Sequence, residues 1–196
     1  VDEREKRRRL FAGIDLDDAA ASACAAVSER LRQTGFDARY EPPDKLHVTL
    51  AFLGNVVESR YEAVASALPA AAAGAASFVV SLDKLGAFPH ERKPRVVYIG
   101  AREQGAAYRA LAASVRAAYA AIGFSFEADP VAHVTIARVK EPRRALPSIE
   151  FAPVELRVGK LSLFESIFDA RLNTSRYRIV GGAALLPPAS ANASEA

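Results

Sequence analysis

LHVTLAFLG (Leu46–Gly54) and AHVTIAR (Ala132–Arg138) share the tripeptide HVT, and between them they hold two of only three histidines in 196 residues. Both stretches alternate apolar and polar residues with the period of a strand buried on one face. In the first, Leu46, Val48, Leu50 and Phe52 are expected in the core, and His47, Thr49 and Ala51 on the open face. In the second, Val134 and Ile136 are expected inward, with His133, Thr135 and Ala137 outward. Each strand therefore presents an imidazole and a hydroxyl side by side.

Working outward, RLFAGIDL (Arg9–Leu16) reads as a first strand whose acidic end can cap a helix. Ala-rich helical patterns run from Asp17 to Gly35, from Glu58 to Ala73 before Gly74, and from Gln104 to Ile122 before Gly123. Further strands are expected over Ser77–Phe88, Arg95–Gly100, Phe124–Asp129, Val154–Ser166 and Arg176–Leu186. Strands in groups separated by three long helices do not suit a regular parallel array. They predict an α+β protein with antiparallel sheets. Each half holds a helix, an HVT strand and further strands. The expected architecture is therefore bilobal: two pseudo-symmetric lobes whose sheets face a central cleft, with helices outside. One domain over 1–186 and a disordered Pro-led tail over 187–196 complete the expected organisation.

The composition, 51% hydrophobic and 25% charged, supplies a core without staples. The single cysteine, Cys24, leaves no disulfide framework, lies in a helical pattern and is expected buried and inert. No apolar run approaches the roughly 20 residues of a membrane span. The opening VDEREKRRRLF has no apolar signal segment, so a cytoplasmic monomer is expected. The net charge is +3, with basic clusters at Arg4–Arg9, Arg92–Arg95 and Arg138–Arg144. That balance favours an anionic partner, and phosphate in particular, because guanidinium meets it bidentately.

One HVT strand alone is an ordinary strand with a surface histidine. Two matched copies facing one groove make an acid–base pair. An imidazole titrates near pH ~6.5, so one can be a neutral base while the other is a protonated acid. The two threonines can donate to oxygens on which charge builds up. No metal is expected, because neither strand carries Cys, Asp or Glu at ligand spacing, and His90 sits in the loop FPHERKP. No cofactor is expected, since there is no Gly-rich phosphate loop.

RLFAGIDL, LHVTLAFLG, RVVYIG (Arg95–Gly100) and HVTIAR, in that order, resemble the two-histidine (2H) phosphoesterase superfamily. Within it the chain is similar to the RNA 2',3'-cyclic phosphodiesterases, also called 2'-5' RNA ligases. The resemblance implies a bilobal α+β fold with the site in the cleft. It implies opening of RNA 2',3'-cyclic phosphate ends to 2'-phosphate, with 2'-5' ligation as the reverse. By motif, His47 and His133 would be the acid–base pair, Thr49 and Thr135 would bind the phosphate, and Arg138 would contact it. Phe11 would lie against the substrate's nucleoside. Two departures are visible. Ala132 stands where the family often has Pro, and regular alternation would aim Arg138 at the core, so a bulge or a strand end before Pro142 is required to bring it into the groove. Small cyclic phosphates or 2'-5' oligonucleotides are alternative substrates, and a non-catalytic RNA-binding domain is the rival of another class.

Overall fold

Both HVT stretches form strands and lie next to each other in a computed structural model that describes residues 5–171 and 173–188. They are β3 (His47–Val57) and β7 (His133–Arg138), joined through the pair Val48 and Val134. Around them run β1 (Arg7–Asp15), β2 (Arg39–Tyr40), β5 (Lys84–Phe88), β6 (Val96–Gly100), β9 (Lys160–Asp169) and β10 (Thr174–Ala184). The order is β10-β9-β1-β3-β7-β6-β5, with β2 paired to β7. All these pairings are antiparallel. A separate two-stranded sheet joins β4 (Phe78–Leu82) to β8 (Val154–Val158).

Among the described residues, three α-helices, α1 (Asp18–Gln33), α2 (Tyr61–Ala72) and α3 (Gly105–Ala120), cover the apolar face. Asp17 caps α1 by accepting a hydrogen bond from the Ala20 amide at 2.8 Å. Its buried side chains Ala20, Cys24, Val27 and Leu31 recur at helical spacing. Tyr108, Leu111, Val115 and Tyr119 do the same in α3. α1 follows β1 and packs on β7, while α3 follows β6 and packs on β3. The two units β1–α1–β3 and β6–α3–β7 thus repeat one arrangement. Burying Val48, Leu50, Val134 and Ile136 beneath these helices contributes about 1.5–3 kcal/mol per side chain. Cys24 lies in this core, where burial pushes its thiol up to about 12.

The α+β class and the antiparallel pairing agree with the sequence reading, but the lobes are halves of one strand order rather than two independent sheets. Ser77–Phe88 breaks at Asp83 into β4 and β5, which belong to different sheets. Val154–Ser166 likewise breaks at Gly159 into β8 and β9. Periodicity cannot show these breaks, because both pieces of each stretch alternate. Residues 124–129 form no strand: Phe124 meets Tyr119 edge-on, and Arg116 covers the Phe126 ring. The expected tail lies outside the described residues from 189 onward, as does Arg4.

Strict alternation also fails at matching places in the two motif strands. Pairing of β1 with β3 skips Leu50, and pairing of β6 with β7 skips Ile136. Each bulge keeps two successive residues inside and reverses the phase beyond them. Ala51 and Ala137, expected on the open face, are therefore buried. Phe52, expected in the core, is instead 50% exposed. Arg138 turns to the open side by the same device.

Gly13 makes this close pairing possible, because a Cβ there would collide with the Val48 carbonyl oxygen. Gly13→Ala should therefore push β1 off β3 between His47 and Thr49, costing about 1–3 kcal/mol. Thermal melts should show that loss, and an unchanged Tm would contradict the packing described.

Candidate active site

On the open side of β3 and β7 lies a cleft of about 730 Å³, lined by His47, Thr49, His133, Thr135 and Arg138. The two histidines are held alike. His47 Nδ1 is 2.7 Å from the Lys45 carbonyl oxygen, and His133 Nδ1 is 2.8 Å from that of Val131. A carbonyl only accepts, so each Nδ1 carries the proton and donates it there. Each Nε2 remains for the cleft. In both cases the acceptor lies two residues upstream, where the chain enters the strand.

Aromatic rings box in both imidazoles. Around His47 stand Phe11 at 4.7 Å, Tyr177 edge-on at 4.9 Å and Phe164 at 5.6 Å between centroids. Phe88 and Tyr98 each meet His133 edge-on at 5.3 Å. This burial lowers the pKa of both histidines below the ordinary imidazole value, despite the backbone hydrogen bonds that favour their charged forms. For His47, the charges of His133 and Arg138 push the same way, while Glu41 opposes them.

Below the unfolded value of about 6.5, the unfolded chain binds more protons at these positions than the folded one. The contribution is fully present above that pH and is lost as pH falls through the lowered folded values. Tm should therefore be lower at pH 5.5 than at pH 7.5, and a His47→Gln/His133→Gln double variant should narrow the gap. A gap as wide as the wild type's would contradict the burial argument.

Arg138 leans on a carboxylate that sequence reading did not single out. Its Nε donates to Glu41 Oε1 at 2.8 Å, and its guanidinium also hydrogen-bonds the Tyr177 side chain at the edge of the cleft. Lys45 Nζ stands 4.0 Å from Glu41 Oε2 and donates to Thr174 Oγ1 at 2.7 Å. The side chains of Glu41 and Lys45 are each only 9% exposed. Tyr177, whose hydroxyl is pushed up chiefly by burial, feels the charges of both Arg138 and Glu41.

His47, Thr49, His133, Thr135 and Arg138 thus line one cleft. Phe11 lines it too, yet it is 3% exposed. Its ring is stacked on Phe164 at 4.8 Å and packed against His47. It therefore offers a nucleoside little open face. Phe52 and Phe168 offer much more, and Arg9 stands 4.8 Å over the Phe52 ring. Phe52 had a signal in the sequence: it occupies in HVTLAF the place that Arg138 occupies in HVTIAR. Glu41 and Tyr177 had none, since only folding brings them to the site. His90 lies elsewhere, its ring accepting from the Lys93 amide at 3.2 Å. Among the described residues, no three His, Cys, Asp or Glu side chains converge as a metal site, and no helix is long and apolar enough to cross a membrane.

The family model of the LigT like Phosphoesterase matches residues 14–98 and again residues 99–172, with one HVT motif in each match. The chain belongs to this family. Among its LigT-like relatives, the RNA 2',3'-cyclic phosphodiesterase of Thermotoga maritima is 30% identical over 162 residues, 81% of this chain and 86% of its own. That of Archaeoglobus fulgidus is 33% identical over 160 residues, 78% of this chain and 89% of its own. Apo LigT of E. coli shares the fold with a TM-score of 0.71 at 25% identity, over 92% of this chain and 99% of its own. The same LigT has also been solved with 3'-AMP bound.

Proposed function

We propose that this LigT-like phosphoesterase opens RNA 2',3'-cyclic phosphate ends to 2'-phosphates by two-histidine acid–base catalysis, with 2'-5' ligation as the reverse reaction. The observation that carries the reading is the matched pair of imidazoles, each fixed through Nδ1 and each turning Nε2 to one cleft. One Nε2 takes a proton from water as its oxygen bonds to phosphorus. The P–O3' bond breaks, and the other Nε2–H gives its proton to O3'. The hydroxyls of Thr49 and Thr135 and the guanidinium of Arg138 stabilise charge on the non-bridging oxygens. Phe52 and Phe168 supply the open aromatic faces on which a base can stack. The relatives' activity supports the choice of an RNA end as substrate.

Turnover should be compared, in EDTA, on an RNA oligomer with a 2',3'-cyclic end, a cyclic mononucleotide and a 2'-5' dinucleotide. The cyclic ends should be opened, and kcat/KM should be highest for the oligomer. A preference for the mononucleotide would shift the reading to small cyclic phosphates. Binding of the oligomer without turnover would shift it to an RNA-binding domain.

A further inference from the structure

We infer that a basic groove continuing the cleft past Arg138 holds the phosphates of the RNA on the 5' side of its cyclic end. The inference rests on the reading above and assigns the route by which the rest of the substrate leaves the site. A 2',3'-cyclic phosphate closes the 3' end, so the chain continues only through C5' of the terminal ribose. The phosphate sits on the C2'–C3' edge. C1', which carries the base, and C4', which carries the 5' chain, diverge from the two ends of that edge. Base and chain therefore need different walls of the cleft.

The motif strands supply two such walls. At equivalent positions beyond the two histidines, β3 carries Phe52 and β7 carries Arg138. Phe52, with the 63% exposed Phe168, makes one wall aromatic. Arg138 makes the other cationic. Arg39 is its pairing partner in β2, which sets two guanidinium groups on neighbouring strands. Both also line a second depression of about 330 Å³, so this groove adjoins the cleft at these two residues.

The groove adds Lys140 and Arg143, both exposed, against the acids Asp37 and Glu141. Among the described residues, Arg39 and Lys140 have no ion-pair partner. Arg143 meets Glu141 at 3.2 Å in an exposed pair, which holds the cation weakly. Other basic residues nearby are engaged in the fold. Arg95 donates to the Lys140 carbonyl, and Arg144 donates to the Thr34 carbonyl while covering Phe36. The cations left to the groove form a track suited to a single-stranded phosphate backbone.

The test compares kcat/KM for a 2',3'-cyclic mononucleotide with that for an RNA oligomer ending in the same nucleotide, over a series of salt concentrations. The proteins are the wild type, Lys140→Ala/Arg143→Ala, and, as a control, Arg171→Ala in the exposed turn after β9. The double variant should lose about tenfold on the oligomer, and its salt slope should fall by about 0.7 for each lysine or arginine removed, the single-strand value. The mononucleotide, too short to reach the groove, should be turned over at the wild-type rate. Arg171→Ala should match the wild type on both. Equal losses on both substrates, no loss on the oligomer, or an oligomer-specific loss in Arg171→Ala would each overturn the groove. Failure of the wild type on both substrates would remove the functional reading and the groove with it. Failure of the groove alone leaves wild-type turnover intact and shows only in the variants.

Discussion

Replacing His47 or His133 with Ala is expected to lower turnover of a 2',3'-cyclic substrate by roughly 10² to 10⁴-fold, the scale of acid–base catalysis. The double variant is expected to fall little below the worse single one, because the pair acts as a unit. Each imidazole already gives its Nδ1 proton to a backbone carbonyl, so Nε2 is the nitrogen removed from the chemistry. The pH profile should be bell-shaped. Burial lowers the pKa of both histidines in the free protein, while a bound phosphate anion favours the protonated form of one of them. The basic limb should therefore lie at higher pH in kcat, which reports the complex, than in kcat/KM, which reports the free enzyme. Single-variant rates within a few-fold of the wild type would remove the histidines from the reaction.

The second large effect is expected at Arg138. Arg138→Ala should lose about 10² to 10³-fold in kcat, in line with deleting one preorganised donor. Its Tm should change little, because the side chain is 45% exposed and its bulge is set by backbone pairing. Arg138→Lys keeps the charge but loses both the fork and the Nε–H given to Glu41, so it should stay impaired. Melts and kinetics on one preparation separate the possible roles. An Ala variant that melts early yet turns over normally would make Arg138 structural.

The helices and the central strands were legible because their signals are local. Asp17 caps α1, while Gly35, Gly74 and Gly123 adopt positive φ just beyond the three helices. The HVT pairs were legible for the same reason, since His and Thr two apart must share a strand face. The burial of Ala51, the exposure of Phe52 and the divisions at Asp83 and Gly159 depend on which strand lies alongside. Alternation within one strand carries no record of that partner. The site shows the same division. His47, Thr49, His133 and Thr135 follow from their strands. Glu41, Lys45 and Tyr177 reach the cleft from a short turn and from β10, and only the assembled sheet brings them near Arg138. The bulge at Ile136 was foreseeable only because Arg138 was expected in the groove. Its counterpart at Leu50 came with no such requirement.

The most direct measurement is the structure of the product. RNA ending in a 2',3'-cyclic phosphate is incubated with the protein in EDTA, with the His47→Ala/His133→Ala protein as the blank, and the new terminus is assigned by NMR or by nuclease digestion. A terminal 2'-phosphate with a free 3'-hydroxyl, formed by the wild type and not by the blank, is the expected outcome. A 3'-phosphate, an unchanged cyclic end, or conversion that appears only when metal is restored would contradict cleavage of the P–O3' bond by two histidines.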